Sequence, residues 1–142
     1  MTTSSATAAW EGGLRGGKGQ FNAKSGAFQG PYTFATRFES AKGTNPEELI
    51  AAALAACFSM ALSGALEKAG TPPKRVTTTA AATVDKVGEG FRITKIRLET
   101  RGEVPGIDQA AFAKAAEGAK EGCPVSQALK GNLAIELDAR LA

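Results

Sequence analysis

The chain has 142 residues, seventeen basic against fourteen acidic side chains for a formal charge of +3, and no histidine. That length lets one domain, residues 1–142, bury about two thirds of its unfolded surface without staples. The basic residues are interspersed with acids, which gives nucleic-acid binding little support, and the missing imidazole removes every Ser-His or Cys-His relay and leaves a poor zinc site.

The N-terminal "MTTSSATAA" lacks both a basic start and an apolar stretch, so no secretory signal is expected and the protein is read as cytoplasmic. Strand signals broken by glycine follow in "TAAWEGGL", "KGQFNAKS" and "YTFATRF". The last alternates Tyr32, Phe34, Thr36 and Phe38 against Arg37, the pattern of an antiparallel strand. "GGLRGGKG" has no helix after it and is not a phosphate loop.

Asn45 then suits a helix cap and Pro46 a first helical position, while Glu48, three residues after the cap, is placed to reach back in a capping box. Gly70, Pro72 and Pro73 mark the end. From Pro46 to Ala69 such a helix is about 36 Å long. Ile50, Leu54, Phe58, Leu62 and Leu66 form a large apolar ridge on it, and Ala53, Cys57, Ala61 and Gly64 a stripe of small side chains. Leu49 to Leu66 carries no charge apart from its flanks and nears the length that spans a bilayer. Its alanines, serines and glycine give little apolar drive, so a helix buried on most sides inside a water-soluble core is expected, not a membrane span.

"RVTTTAAATVDKV" and "FRITKIRLETRGEV", separated by "GEG", read as a long hairpin. The change of phase between Phe91/Ile93 and Ile96/Leu98 suggests a bulge near Thr94 or Lys95. "GIDQAAFAKAAEGAKEG" reads as a helix capped by Asp108 and ending near Gly122. "CPVSQALK" restarts a short helix with Cys123 at the cap, and "NLAIELDARL" closes the chain as a strand.

The two cysteines, Cys57 and Cys123, are too far apart for a C-x-x-C motif, and three fates stay open: inert core thiols, a structural disulfide, or a redox couple. Cys123 at a helix start faces unpaired N–H groups that favour its thiolate. Cys57 sits in mid-helix, where burial raises a thiol's pKa. Holding it near a pKa of about 5.5 would take about 4 kcal/mol from a cation delivered by another part of the fold.

"TRFE", "KGTNPEELIAAALAACFSMALS", "DKVGEGFRITKI" and "GCPVSQALK", in this order, resemble the osmotically inducible protein C family, in its OsmC branch more than its organic hydroperoxide resistance branch. The resemblance implies an α+β fold in which long central helices pack against antiparallel sheets in an intertwined homodimer. It implies a cysteine-based peroxidase for organic hydroperoxides and hydrogen peroxide, without metal, haem or other cofactor, in oxidative or osmotic stress defence. By the same resemblance Cys57 is the peroxidatic thiol, Cys123 the resolving thiol, and Arg37 and Glu47 the charged pair that activates the first. An external dithiol, of lipoyl type in some relatives, would reduce the resulting disulfide. Phe34, Phe58, Met60 and Leu62 are candidates to line an alkyl pocket, besides serving the core. Two other readings are a non-enzymatic, redox-silent dimer, and a thiol-based redox sensor or ligand-binding dimer.

One expectation is geometric. Glu47 and Cys57 are ten residues apart, about 15 Å along a straight helix and on different faces. An Arg37–Glu47 pair beside Cys57 must then come at least partly from the partner subunit of an obligate dimer.

Overall fold

All 142 residues are described by the computed structural model, in which the chain divides into two units, Met1–Leu49 and Ile50–Ala142. The fold is α+β, with two three-stranded sheets and four helices.

In the first unit, β1 (Ala6–Glu11), β2 (Lys18–Ala23) and β3 (Gln29–Tyr32) pair antiparallel in chain order. The central strand buries Phe21 and Ala23, as alternation demands. Gly19 lies under the Trp10 and Tyr32 rings, which any side chain there would overlap.

The stretch expected to continue as a strand instead forms a short helix, α1 (Phe34–Phe38). A reciprocal cap decides it. Thr33 Oγ1 accepts from the Thr36 N–H at 3.1 Å, and the Thr33 N–H donates to Thr36 Oγ1 at 2.9 Å, satisfying two otherwise orphaned donors. Phe34 and Phe38 then stack with ring centroids 5.0 Å apart, the i,i+4 pairing of a helix. An aromatic at every fourth position fits both periods, so the cap settles which is used.

Helix α2 (Pro46–Lys68) begins in the first unit and continues into the second. Asn45 Oδ1 accepts from the Glu48 N–H at 2.8 Å, as a cap should. The Glu48 carboxylate departs from the expected box, accepting from Thr44 Oγ1 at 2.7 Å instead of reaching the cap backbone. At the far end the Thr71 N–H donates to Leu66 O and the Gly70 N–H to Glu67 O, with Gly70 at φ 85°. Only glycine takes this left-handed closing position without strain.

The second unit holds β4 (Arg75–Val87) and β5 (Gly90–Glu103), a hairpin closed by Gly88-Glu89 with Gly88 at φ 62°, where a two-residue turn needs glycine. The register slips between Thr83 and Val84, whose partners are Lys95 and Ile93, so Thr94 is the extra residue of the expected bulge. Next come α3 (Gln109–Gly122), capped by Asp108 through the Ala111 N–H at 2.8 Å, and α4 (Pro124–Leu129). The last strand, β6 (Ala134–Leu141), pairs with β5 in parallel, so this sheet is mixed where antiparallel pairing was expected. The two intervening helices carry the chain back to the end at which β5 began, which permits a parallel return.

The core of this unit is the α2 ridge. Leu54, Phe58 and Leu62 are fully buried and Leu66 nearly so, packed with Ile96, Leu98, Phe112 and Ala116. Each such side chain contributes about 1.5–3 kcal/mol by leaving water. Phe112 lies so close to Gly102 that a Cβ there would overlap its ring. A hydroxyl chain anchors α2 on the sheet: Ser59 Oγ donates to Thr78 Oγ1 at 2.7 Å, which lies 3.0 Å from Thr100 Oγ1.

α2 is long and apolar enough to cross a membrane by composition, with a mean hydropathy of 2.1 over its most apolar window. Its ridge identifies it as a core helix. It is not buried on most sides, however: Ala52, Ala53 and Ala56 are exposed, and Met60 is 80% exposed. Phe58 and Leu62, two candidates for an alkyl pocket, belong wholly to the core.

Candidate functional site

The four expected site residues fall into two pairs, one in each unit.

Arg37 and Glu47 form the first. Asn45 Nδ2 donates to Thr36 O at 3.2 Å, tying the end of α1 to the start of α2 and bringing the arginine onto the glutamate. Arg37 Nε and Nη2 donate to Glu47 Oε1 at 2.9 and 2.7 Å. A bidentate fork is therefore not made. Both donors converge on one oxygen, and Glu47 Oε2 is buried with no hydrogen-bond partner. The carboxylate is 5% exposed and the guanidinium 38%, so the pair is buried on the acid's side and open on the base's. Removing the arginine would leave a buried, uncompensated charge, which is strongly destabilising.

Cys57 and Cys123 form the second pair. Cys123 ends α3 by donating its N–H to Ala119 O at 3.0 Å and begins α4 as its cap. It is buried, and its sulfur accepts from the Ser126 N–H at 3.4 Å and lies 3.0 Å from Ser126 Oγ. Cys57, half-buried on α2, packs against the same core. Burial pushes its pKa up; a backbone hydrogen bond from Val125 pulls it down; hydrogen bonding with Cys123 and that sulfur's negative charge push it up again. The sum is a raised pKa, because a second thiolate beside the first is opposed.

The influence that favours the Cys57 thiolate thus comes from the start of a different helix than its own. Both thiols are free, and Cys57 packs against the core cluster that contains Cys123. Val125 and Ser126 escaped sequence reasoning. The signal was present in "CPVS", where a serine three residues after a capping cysteine occupies the box position.

Along the unbroken α2, Glu47 and Cys57 are separated by nine intervening residues, about 15 Å of helix. No cluster of three or more acidic or sulfur side chains is arranged to hold a metal ion.

Comparison with known proteins follows these motifs. Residues 39–138 match the family model described as OsmC-like protein. The chain is 54% identical over 128 residues to the peroxiredoxin OsmC of Escherichia coli K12, covering 89% of this chain and 90% of that one. It is 35% identical over 96 residues to an organic hydroperoxide resistance protein of Xanthomonas axonopodis pv. citri, covering 67% and 66%. Among solved structures, an organic hydroperoxide resistance protein from Elizabethkingia anophelis superposes with a TM-score of 0.80 at 25% identity, covering all of this chain and 98% of that one. The matched span contains Cys57, Cys123 and Glu47, and the chain belongs to the OsmC-like family.

Proposed function

We propose that this protein is a cysteine-based peroxidase that reduces organic hydroperoxides and hydrogen peroxide, as one OsmC-like domain over residues 1–142 in the cytoplasm. The observation that carries this reading is a half-buried free thiol packed against the core cluster that holds the second free thiol, in a chain whose relatives are named peroxiredoxin and organic hydroperoxide resistance protein.

Cys57, the more accessible sulfur, attacks the peroxide O–O bond as a thiolate, releases water or alcohol, and becomes a sulfenic acid. Cys123 condenses with it, expelling water and forming a disulfide that an external dithiol, for instance of lipoyl type, reduces. The raised pKa of Cys57 means that the thiolate needs a cation. Arg37 is suited to supply it: Glu47 Oε1 holds its Nε and Nη2 donors, and the guanidinium side chain is 38% exposed.

The 15 Å between Glu47 and Cys57 on one rigid helix favours Arg37 and Glu47 of the partner subunit as the pair that serves each Cys57. The exposed, uncharged Ala52–Ala53–Ala56–Met60 face of α2 suits close packing of two such helices, because small side chains let backbones approach. Stopped-flow consumption of cumene hydroperoxide in the presence of dithiothreitol tests the activity. Cys57→Ser is expected to fall to background, while Cys123→Ser keeps a single turnover. Peptide mass spectrometry of the peroxide-treated wild type should show a 57–123 crosslink, and a wild type indifferent to the peroxide would remove the proposal.

A further inference from the structure

Ser126 is 2% exposed, and a hydroxyl so buried must find a hydrogen-bond partner inside the protein. Its Oγ has Cys123 Sγ at 3.0 Å, and its N–H donates to the same sulfur at 3.4 Å. One residue thus offers the Cys123 sulfur two contacts, one of which reverses direction as the chemistry demands. A hydroxyl accepts from S–H when the sulfur is a thiol and donates to it once the proton is gone. The backbone N–H only donates. No other hydroxyl or charged side chain hydrogen-bonds this sulfur.

We propose that Ser126 is the positioning residue for Cys123 in both directions of its disulfide chemistry, holding the sulfur as nucleophile and stabilising it as leaving group. The inference rests on the peroxidase reading above and goes beyond it by assigning the resolving half of the cycle its own partner.

In resolution, Cys123 attacks the sulfur of the Cys57 sulfenic acid. The S–S bond forms, the S–O bond breaks, and the Cys123 proton leaves with the hydroxide as water. The Ser126 hydroxyl accepts from the thiol before attack and turns to donate to the disulfide sulfur afterwards. In reduction, a thiolate of an external dithiol attacks the more accessible Cys57 sulfur. The S–S electron pair passes to Cys123, whose thiolate receives both the O–H and the N–H of Ser126. The second thiol of the reductant then closes its own disulfide and releases Cys57, so two electrons and two protons pass from the dithiol to the protein.

The test separates the half-reactions. Wild type, Ser126→Ala, Ser126→Thr and Ser126→Val are followed for oxidation of Cys57 by cumene hydroperoxide, for 57–123 crosslink formation, and for reduction of that crosslink by dihydrolipoamide. Threonine keeps the hydroxyl and valine keeps its shape without it, so this pair isolates the O–H whether or not the alanine variant folds. Loss of a hydrogen bond to a charged sulfur is expected to slow crosslink formation and reduction about tenfold in Ala and Val, with Thr restoring both. Cys57 oxidation should keep its rate throughout, since the Ser126 side chain hydrogen-bonds Cys123 and not Cys57. The midpoint potential of the couple should move about 30 mV more negative in Val than in Thr, the equivalent of that tenfold change. Equal rates and potentials in Thr and Val would overturn the proposal alone. A wild type that consumes no peroxide or forms no crosslink would overturn the peroxidase reading, and this inference with it.

Discussion

The two pairs of site residues are built on opposite electrostatic terms. In Arg37–Glu47 a cation and an acid are held together, with two donors on one carboxylate oxygen and the arginine side chain partly exposed. In Cys57–Cys123 the charge is resisted, because burial and the neighbouring sulfur oppose the Cys57 thiolate more than the Val125 N–H assists it. One pair has cationic donors to spare and an acid oxygen without a partner; the other lacks a cation. On the proposed mechanism neither pair is a complete peroxidatic site by itself, and each Cys57 depends on an arginine supplied by the partner subunit.

The largest effect expected from breaking that arrangement follows removal of the cation. Arg37→Met combined with Glu47→Gln, which leaves no unpaired buried charge, should reduce the rate of Cys57 oxidation at pH 7 by about a hundredfold or more, as the Cys57 thiolate fraction falls to that of a thiol with a raised pKa. The sign is fixed by the direction of the shift. With the folded pKa above the ordinary thiol range, the rate should climb about tenfold per pH unit through neutrality and level off only in alkali, whereas the wild type should level off earlier. A pH series of stopped-flow rates distinguishes the two; identical profiles would mean that Arg37 does not act on Cys57.

A change remote from both pairs sharpens the comparison. Ala56→Arg places a charge on the exposed face of α2, where the chain itself has no reason to lose its fold, since exposed substitutions usually change stability by less than about 0.5 kcal/mol. Sedimentation should show monomers in place of dimers, and peroxidase activity should fall with the dimer fraction. Full activity in a monomer would place the whole site within one chain.

The smallest effect concerns the thiols alone. Cys123→Ser removes the neighbouring sulfur, two of the three influences that raise the Cys57 pKa, and leaves burial and the Val125 hydrogen bond. The pH midpoint for alkylation of Cys57 by iodoacetamide should therefore move down. An upward movement would show that Cys123 assists ionisation of Cys57 when present.

Much of this was legible in the sequence where a feature is local. The ends of α2, the Thr94 bulge and the double role of Cys123 between two helices each follow from a cap, a phase change or a proline within a few residues. Features that depend on competition or distance were not legible. "YTFATRF" alternates like a strand, yet the Thr33–Thr36 cap outweighs the alternation. The parallel pairing of β6 depends on where two helices deliver the chain. The influence of Val125 on Cys57 couples positions 68 residues apart in number, and the convergence of Arg37 on a single oxygen is a matter of side-chain geometry.

The account stands most directly on which chain's arginine serves which chain's thiol, and subunit mixing measures that. Cys57→Ser and Arg37→Met/Glu47→Gln proteins, each inactive alone, are unfolded together, refolded as a one-to-one mixture, and assayed with cumene hydroperoxide. Half of the dimers are then mixed, and each mixed dimer holds one intact site of two, so about a quarter of wild-type activity should return. A mixture as inactive as its parents would contradict the account.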